Sequence, residues 1–172
     1  MGNKIKVAIN GFGRIGRITF RAMLQRDDME VVAVNDLAPA DNLIHLLKYD
    51  SVHGLFPVDI LETPEGFAVG LQNVAVFAEP NPALLPWKKL GVDVVIESTG
   101  FFTKPEQALR HVHDAGARKV IISAPANDPD ETVPFIVLGV NNHLINKDDL
   151  VISNASCTTN NVAPLIKILD EK

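Results

Sequence analysis

The stretch IKVAINGFGRIGR, residues 5 to 17, runs a short apolar strand pattern straight into a glycine-spaced turn and the start of a helix pattern. Gly11, Gly13 and Gly16 fall in the order G-x-G-x-x-G, and each has a physical task. The first permits a tight turn, the second lets backbone approach a pyrophosphate, and the third lets helix and strand pack closely. A turn of this kind commits the chain to a parallel sheet covered by helices, because a strand that feeds a helix must return in the same direction. A second strand pattern, EVVAVND (30–36), ends in Asp36, about twenty residues after the glycines, where a dinucleotide site places its ribose-binding carboxylate. Asp36 accepts ribose hydroxyls and repels a 2′-phosphate, so the pattern favours NAD over NADP.

The rest of the chain repeats the alternation of buried strands and helix-period segments. VDVVIES (92–98), KVIISA (119–124), FIVLGVN (135–141) and LVISNAS (150–156) read as further buried strands. Helices are predicted over Ile15–Gln25, with Ile15, Ile18, Ala22 and Gln25 on one face, over 41–50 with Leu43, Leu46 and Leu47 as its stripe, and around Pro105–Ala115. Between Leu55 and Phe77 the pieces FPVDIL, FAVGL and VAVFA are short and separated by turn residues, which predicts an antiparallel excursion. After Cys157 a helix is expected, with Pro164 either kinking it or marking a late start. Its apolar residues Val162, Leu165, Ile166 and Leu169 need something to pack against. The predicted fold is an α/β, Rossmann-type, doubly wound and mostly parallel sheet with a small antiparallel excursion.

Bulk composition excludes several function classes. With 172 residues, 47% apolar and 22% charged, the chain suits one globular core. Its net charge of −5 and scattered Lys and Arg argue against nucleic acid or anionic membrane as partners. The N-terminus lacks the apolar core of a secretory signal, Lys6 breaks the myristoylation pattern, and no apolar run is long enough for a membrane span. A single cysteine forms no internal disulfide, and together these features predict a cytoplasmic setting. No metal-ligand spacing is found.

That cysteine lies in SNASCTTN (153–160), where a predicted strand meets a predicted helix. Free N–H groups and the helix dipole there favour a thiolate, and Ser156, Thr158 and Thr159 offer groups for an oxyanion or a phosphate. A buried, inert thiol is the competing reading. A thiolate beside a nicotinamide site suits aldehyde oxidation, which also requires a base. His45, His53, His111, His113 and His143 all precede the cysteine, and no spacing selects one of them.

INGFGRIGR (9–17), ND (35–36), LLKYDSVHG (46–54), ESTGFF (97–102), ISAPA (122–126), GVN (139–141) and SNASCTTN (153–160) occur in one order over nearly the whole chain. In this the sequence closely resembles phosphorylating glyceraldehyde-3-phosphate dehydrogenases, homotetrameric enzymes of glycolysis. The resemblance implies NAD held at Asn10, Gly11, Phe12, Gly13, Arg14, Ile15, Asp36 and Leu37, with Thr99, Gly100 and Ser123 lining the cleft towards the nicotinamide. It implies Cys157 as the nucleophile that forms a thiohemiacetal and then a thioester, Ser156 and Thr158 positioning substrate or inorganic phosphate, and 1,3-bisphosphoglycerate as product. It divides the chain into a cofactor domain, 1–156, and the start of a catalytic domain, 157–172, whose remainder carries the base, most of the substrate-phosphate site and the oligomer contacts.

The sequence departs from the family pattern at three places. Pro80 in FAEPNP stands where a basic residue near the adenine is usual, Asn161 replaces a second cysteine, and ANDPDETVPF (126–135) is longer than the usual loop. Alone, the chain is expected to bind NAD with little turnover, unless another chain supplies the missing half. Two other readings fit the same residues: an erythrose-4-phosphate dehydrogenase, and a non-catalytic NAD-binding or interaction module.

Overall fold

The computed structural model describes residues 4–171. The first strand, β1 (Ile5–Asn10), is followed by α1 (Arg14–Met23), β2 (Met29–Asn35), α2 (Ala40–Lys48) and a two-stranded ribbon, β3 (Tyr49–Asp50) with β4 (Gly54–Leu55). Next come β5 (Ile60–Thr63), β6 (Gly66–Val69) and β7 (Gln72–Phe77), then α3 (Trp87–Leu90) and β8 (Val94–Glu97). The chain continues through α4 (Pro105–Ala108), α5 (Arg110–His113), β9 (Lys119–Ile122), β10 (Val151–Ser153) and α6 (Cys157–Asp170).

One sheet of eight strands carries the order β10-β9-β8-β1-β2-β7-β6-β5. Every pairing from β10 to β7 is parallel, and β5, β6 and β7 pair antiparallel at one edge, as the broken pattern between Leu55 and Phe77 predicted. From β1 the chain winds outward to β2, then returns to place β8 on the other side of β1. That reversal opens a crevice beyond the carboxyl ends of β1, β2 and β8, where open α/β sheets bind ligands.

Alternation along the strands divides the interior into two layers. Val7 and Ile9 enter one cluster with Phe12, Phe20, Phe67, Leu43 and Leu47, while Ala8 enters the other with Trp87, Val95, Val120 and Ile122. Phe12, Phe20 and Phe67 meet with ring centroids 5.6 to 6.2 Å apart. Each such ring contributes about 1.5–3 kcal/mol by leaving water. The β1–β2 register slips between Val7 and Ala8, so both Val32 and Ala33 face the second layer.

Several sequence expectations need correction. The face of α1 that packs inward is Gly16 and Phe20; Ile15 and Ala22 are exposed and Ile18 is only half-buried. Close packing at Gly16 decided the orientation, and a hydrophobicity pattern does not see a glycine. In α2, Leu43 and Leu47 are buried but Leu46 is exposed, and the helix ends at Lys48 because Tyr49–Asp50 pairs with Gly54–Leu55. The helix around 105–115 is two single turns joined at Leu109, where ψ is −19°.

FIVLGVN is not a strand. Phe135 makes one bridge to Ser153, and then Asn141 closes the backbone on itself, accepting from Val137 N–H at 2.7 Å and donating to the Phe135 carbonyl at 2.8 Å. An asparagine that satisfies local backbone groups competes with the sheet ladder. Helix α6 begins at Cys157 and continues through Pro164. No helix among the described residues is long and apolar enough to cross a membrane.

Candidate cofactor and nucleophile site

The carboxyl ends of three central strands meet in register, with Asn10 opposite Asn35 on one side and Glu97 on the other. All three are buried polar residues that follow apolar runs at the ends of their strands. Immediately beyond them the chain opens into a cleft of about 360 Å³, lined by Asn10, Gly11, Gly13, Asn35, Asp36, Leu37, Glu79, Pro80, Ser98, Thr99, Phe101 and Phe102.

The three glycines differ in what holds them. Gly11 has φ of +89°, and a Cβ on it would lie 2.6 Å from Thr99 N and 2.7 Å from the Ser98 carbonyl carbon. A Cβ on Gly16 would lie 2.1 Å from the Gly11 carbonyl oxygen. The fold itself therefore requires both. At Gly13 φ is −71° and a Cβ would meet nothing within 4 Å. The fold makes no such demand of the second glycine, whose open face looks into the cleft that it lines. Gly13 is also the N-cap of α1 and supplies no side-chain cap, so the first N–H groups of the helix, at Arg14, Ile15 and Gly16, have no helical partner. Unfilled space beside free N–H groups and a helix N-terminus suits a phosphate.

Asp36 sits beside the glycine turn. Its Oδ2 accepts from Phe12 N–H at 2.8 Å and its Oδ1 from Ala38 N–H at 3.0 Å, which fixes the carboxylate while each oxygen keeps a lone pair for a hydroxyl. Asn35 clamps the adjacent wall, donating to the Glu79 carbonyl at 2.9 Å and accepting from Glu79 N–H at 2.8 Å. Phe12 is fully buried against Phe20 and Phe67, and its N–H is held by Asp36, so neither its ring nor that N–H is free for a cofactor.

At the far edge of the sheet, Asn154 and Ala155 turn β10 into α6. Ala155 is buried with φ of +56°, a left-handed conformation that costs an alanine about 1–3 kcal/mol. The strained turn is held by Ala155 N–H donating to Ser153 Oγ at 3.1 Å, and by Asn160 Nδ2 donating to the Asn154 carbonyl at 2.7 Å. Ser156 caps α6, its Oγ accepting from Thr159 N–H at 2.9 Å. This places Cys157 at the first helical position with an exposed thiol, excluding the reading of a buried inert cysteine. His45 stacks near Tyr49, His53 pairs with Asp50 and His111 lies beneath Trp87.

Residues 5–105 match the family described as glyceraldehyde 3-phosphate dehydrogenase, NAD binding domain, which is more than half of the chain. The chain belongs to the glyceraldehyde-3-phosphate dehydrogenase family. It is 53% identical over 169 residues to the glyceraldehyde-3-phosphate dehydrogenase of Priestia megaterium, covering 98% of this chain and 49% of that protein. The Thermotoga maritima protein of the same name is 53% identical over 169 residues, covering 97% and 50%. Glyceraldehyde-3-phosphate dehydrogenase 1 of Bacillus subtilis is 54% identical over 171 residues, covering 98% and 49%. The chain thus spans about half the length of the curated relatives it matches.

Membership of the family makes NAD the cofactor of this domain, and the open face of Gly13 beside the anchored Asp36 fits it. Of the residues expected to bind it, Asn10, Gly11, Gly13, Asp36, Leu37 and Thr99 line one cleft. Arg14 and Ile15 stand exposed in the first turn of α1. Gly100, Ser123, Ser156, Cys157 and Thr158 are not part of the cleft lining. The family motifs ND and ESTGFF already contained Asn35, Ser98, Phe101 and Phe102. Pro80, singled out in FAEPNP, lines the same cleft, whereas Glu79 joins it because β7 lies beside β2, a pairing between distant segments that no local pattern announces.

Proposed function

We propose that this chain is the cofactor half of a phosphorylating glyceraldehyde-3-phosphate dehydrogenase, together with the helix that carries its nucleophile. The observation that supports this most is the contrast among the glycines: two are required by the fold, and the third keeps open a face that a phosphate would occupy. Arg14 and Ile15 N–H groups would hold that phosphate, and Asp36 would accept the adenosine ribose hydroxyls while repelling a 2′-phosphate. Bound NAD supplies the hydride acceptor.

Cys157 Sγ would attack the aldehyde carbon of glyceraldehyde 3-phosphate, the carbonyl oxygen taking a proton as the thiohemiacetal forms. After the carbon is oxidised to a thioester, an oxygen of inorganic phosphate would displace the sulfur, leaving the thiolate and 1,3-bisphosphoglycerate. Ser156 and Thr158, flanking Cys157, would position substrate or phosphate. The reading assigns the base to the half of the family protein that the chain does not span. In the same reading residues 1–156 form the cofactor domain, and 157–172 open the catalytic one. The exposed Leu165, Ile166, Ile168 and Leu169 on α6, which buries no residue, favour a complementing half that covers them.

The test is calorimetric titration with NAD and NADP, followed by NADH formation from glyceraldehyde 3-phosphate, NAD and phosphate, for the chain alone and with a separately expressed C-terminal half of a relative. Binding of NAD, little turnover alone, and Cys157-dependent turnover on complementation are expected. Failure of the chain to bind NAD refutes the reading.

A further inference from the structure

Beneath the cleft a network of buried hydrogen bonds converges on Glu97. The Trp87 indole N–H donates to His111 Nδ1 at 2.9 Å, so that nitrogen is an acceptor and the imidazole is neutral, with its proton on Nε2. His111 Nε2 then donates to Glu97 Oε2 at 3.2 Å, and Asn10 Nδ2 donates to the same oxygen at 2.5 Å. Asn10 Oδ1 accepts from Asn35 Nδ2 at 2.7 Å. Glu97 Oε1 takes the remaining donors, Thr99 N–H at 2.8 Å and the Thr99 hydroxyl. Apart from the second Asn35 N–H, which goes to the Glu79 carbonyl, these donors converge on one carboxylate, which is 2% exposed.

Two donors on each oxygen prevent that carboxylate from rotating, and its outer oxygen sets the cleft wall. Thr99 Oγ1, while donating to Glu97, accepts from Phe101 N–H at 3.0 Å. Gly100 between them has φ of +77° and nothing within 4 Å of where a Cβ would sit. The bonds that hold the turn from Thr99 to Phe101 run through Glu97, which takes the Thr99 N–H and hydroxyl, and through that hydroxyl, which takes the Phe101 N–H. Thr99 and Phe101 both line the cleft.

We propose that His111 is a positioning residue for the cofactor: acting through Glu97, it fixes the Thr99–Phe101 turn against which the dinucleotide lies. Asn35, at the other end of the same network, fixes Glu79, so one buried network sets two walls of the cleft. The cofactor part of this inference rests on the binding mode proposed above.

Two substitutions of His111 separate positioning from packing. His111→Asn places an acceptor where Nδ1 was and keeps the Trp87 partner, but loses the donor to Glu97. His111→Gln places an N–H where Nε2 was and keeps that donor. Both would be compared in the full chain by calorimetric titration with NAD and by amide hydrogen exchange at Thr99 and Phe101 without ligand. The expected result is about tenfold weaker NAD binding and faster exchange at both amides in His111→Asn, with His111→Gln close to the parent. Unchanged affinity and exchange in His111→Asn overturns the proposal, as does equal loss in both variants, which indicates general destabilisation. Thr99→Val removes the hydroxyl link from Glu97 to the Phe101 N–H and leaves the Thr99 N–H bond, and unchanged exchange at the Phe101 amide in that variant overturns it too. If the parent chain binds no NAD, the binding mode above fails, and the exchange rates alone decide whether His111 positions the turn.

Discussion

Gly13→Ala separates what the fold needs from what the ligand needs. The added methyl meets no protein atom within 4 Å, and the φ of −71° is ordinary for alanine. Alanine is the poorer helix N-cap, which costs up to about 1 kcal/mol. The reduced freedom of the unfolded chain offsets this by about 0.4–1 kcal/mol. Stability should thus change by less than about 1 kcal/mol. Binding should not be spared, because a phosphate drawn to the N-terminus of α1 would meet the methyl. Overpacking of one carbon costs about 1–3 kcal/mol, or roughly a fivefold to 150-fold rise in the dissociation constant for NAD. Urea unfolding and calorimetric titration on the same preparation read the two quantities. Wild-type affinity in this variant would refute the close-approach role of Gly13. A large loss of stability would show instead that the face is not free.

Gly16→Ala should behave in the opposite way: its methyl would lie 2.1 Å from the Gly11 carbonyl oxygen, so α1 must retreat, and the urea midpoint should fall by an amount equivalent to about 1–3 kcal/mol or more. Asp36→Ala removes the acceptor of Phe12 and Ala38 N–H groups, costing about 1–3 kcal/mol of stability, weakens NAD binding and relaxes discrimination against NADP. An unchanged ratio of NAD to NADP affinity would remove Asp36 from the ribose site. Asp50 is held down to about 2 by the His53 N–H and then the Val52 N–H. Its folded value lies below the unfolded value of 3.8, so its stabilisation of the Ser51–Gly54 turn is complete above that value and is lost as pH falls through about 2. Amide shifts of Val52 and His53 followed by NMR should titrate in that window, and a flat response there contradicts the assignment.

The parallel core was legible because its information is local. Strands such as KIKVAIN and VDVVIES alternate with helix patterns at fixed spacing, and the turn chemistry of Gly11 and Gly16 is written in consecutive residues. Errors arose where a backbone contact that hydrophobicity does not record outweighed the pattern. Ile15 and Ala22 looked like the inner face of α1 until Gly16 had to sit on the Gly11 carbonyl. FIVLGVN has the composition of a buried strand, yet the Asn141 side chain satisfies the backbone there and leaves only one bridge to Ser153.

The site shows the same division in a form that explains its chemistry. Gly13 and Asp36 could be assigned from spacing because, in the proposed binding mode, each would act on the ligand through its own backbone or carboxylate, and Gly11 because the tight turn needs it. His111 could not, since its partners are Trp87 and Glu97, brought together by the packing of two helical turns over the sheet. A trace was nevertheless present: Asn10, Asn35 and Glu97 each end an apolar run at the carboxyl end of a strand. A buried polar residue without a partner is costly, so three in register imply that they satisfy one another and something beyond. Here the something beyond is the wall of the cleft, since Asn35 holds Glu79 and Glu97 holds Thr99. Polar residues at adjacent strand ends in such a sheet therefore mark the place where the fold and the cofactor site are made of the same hydrogen bonds.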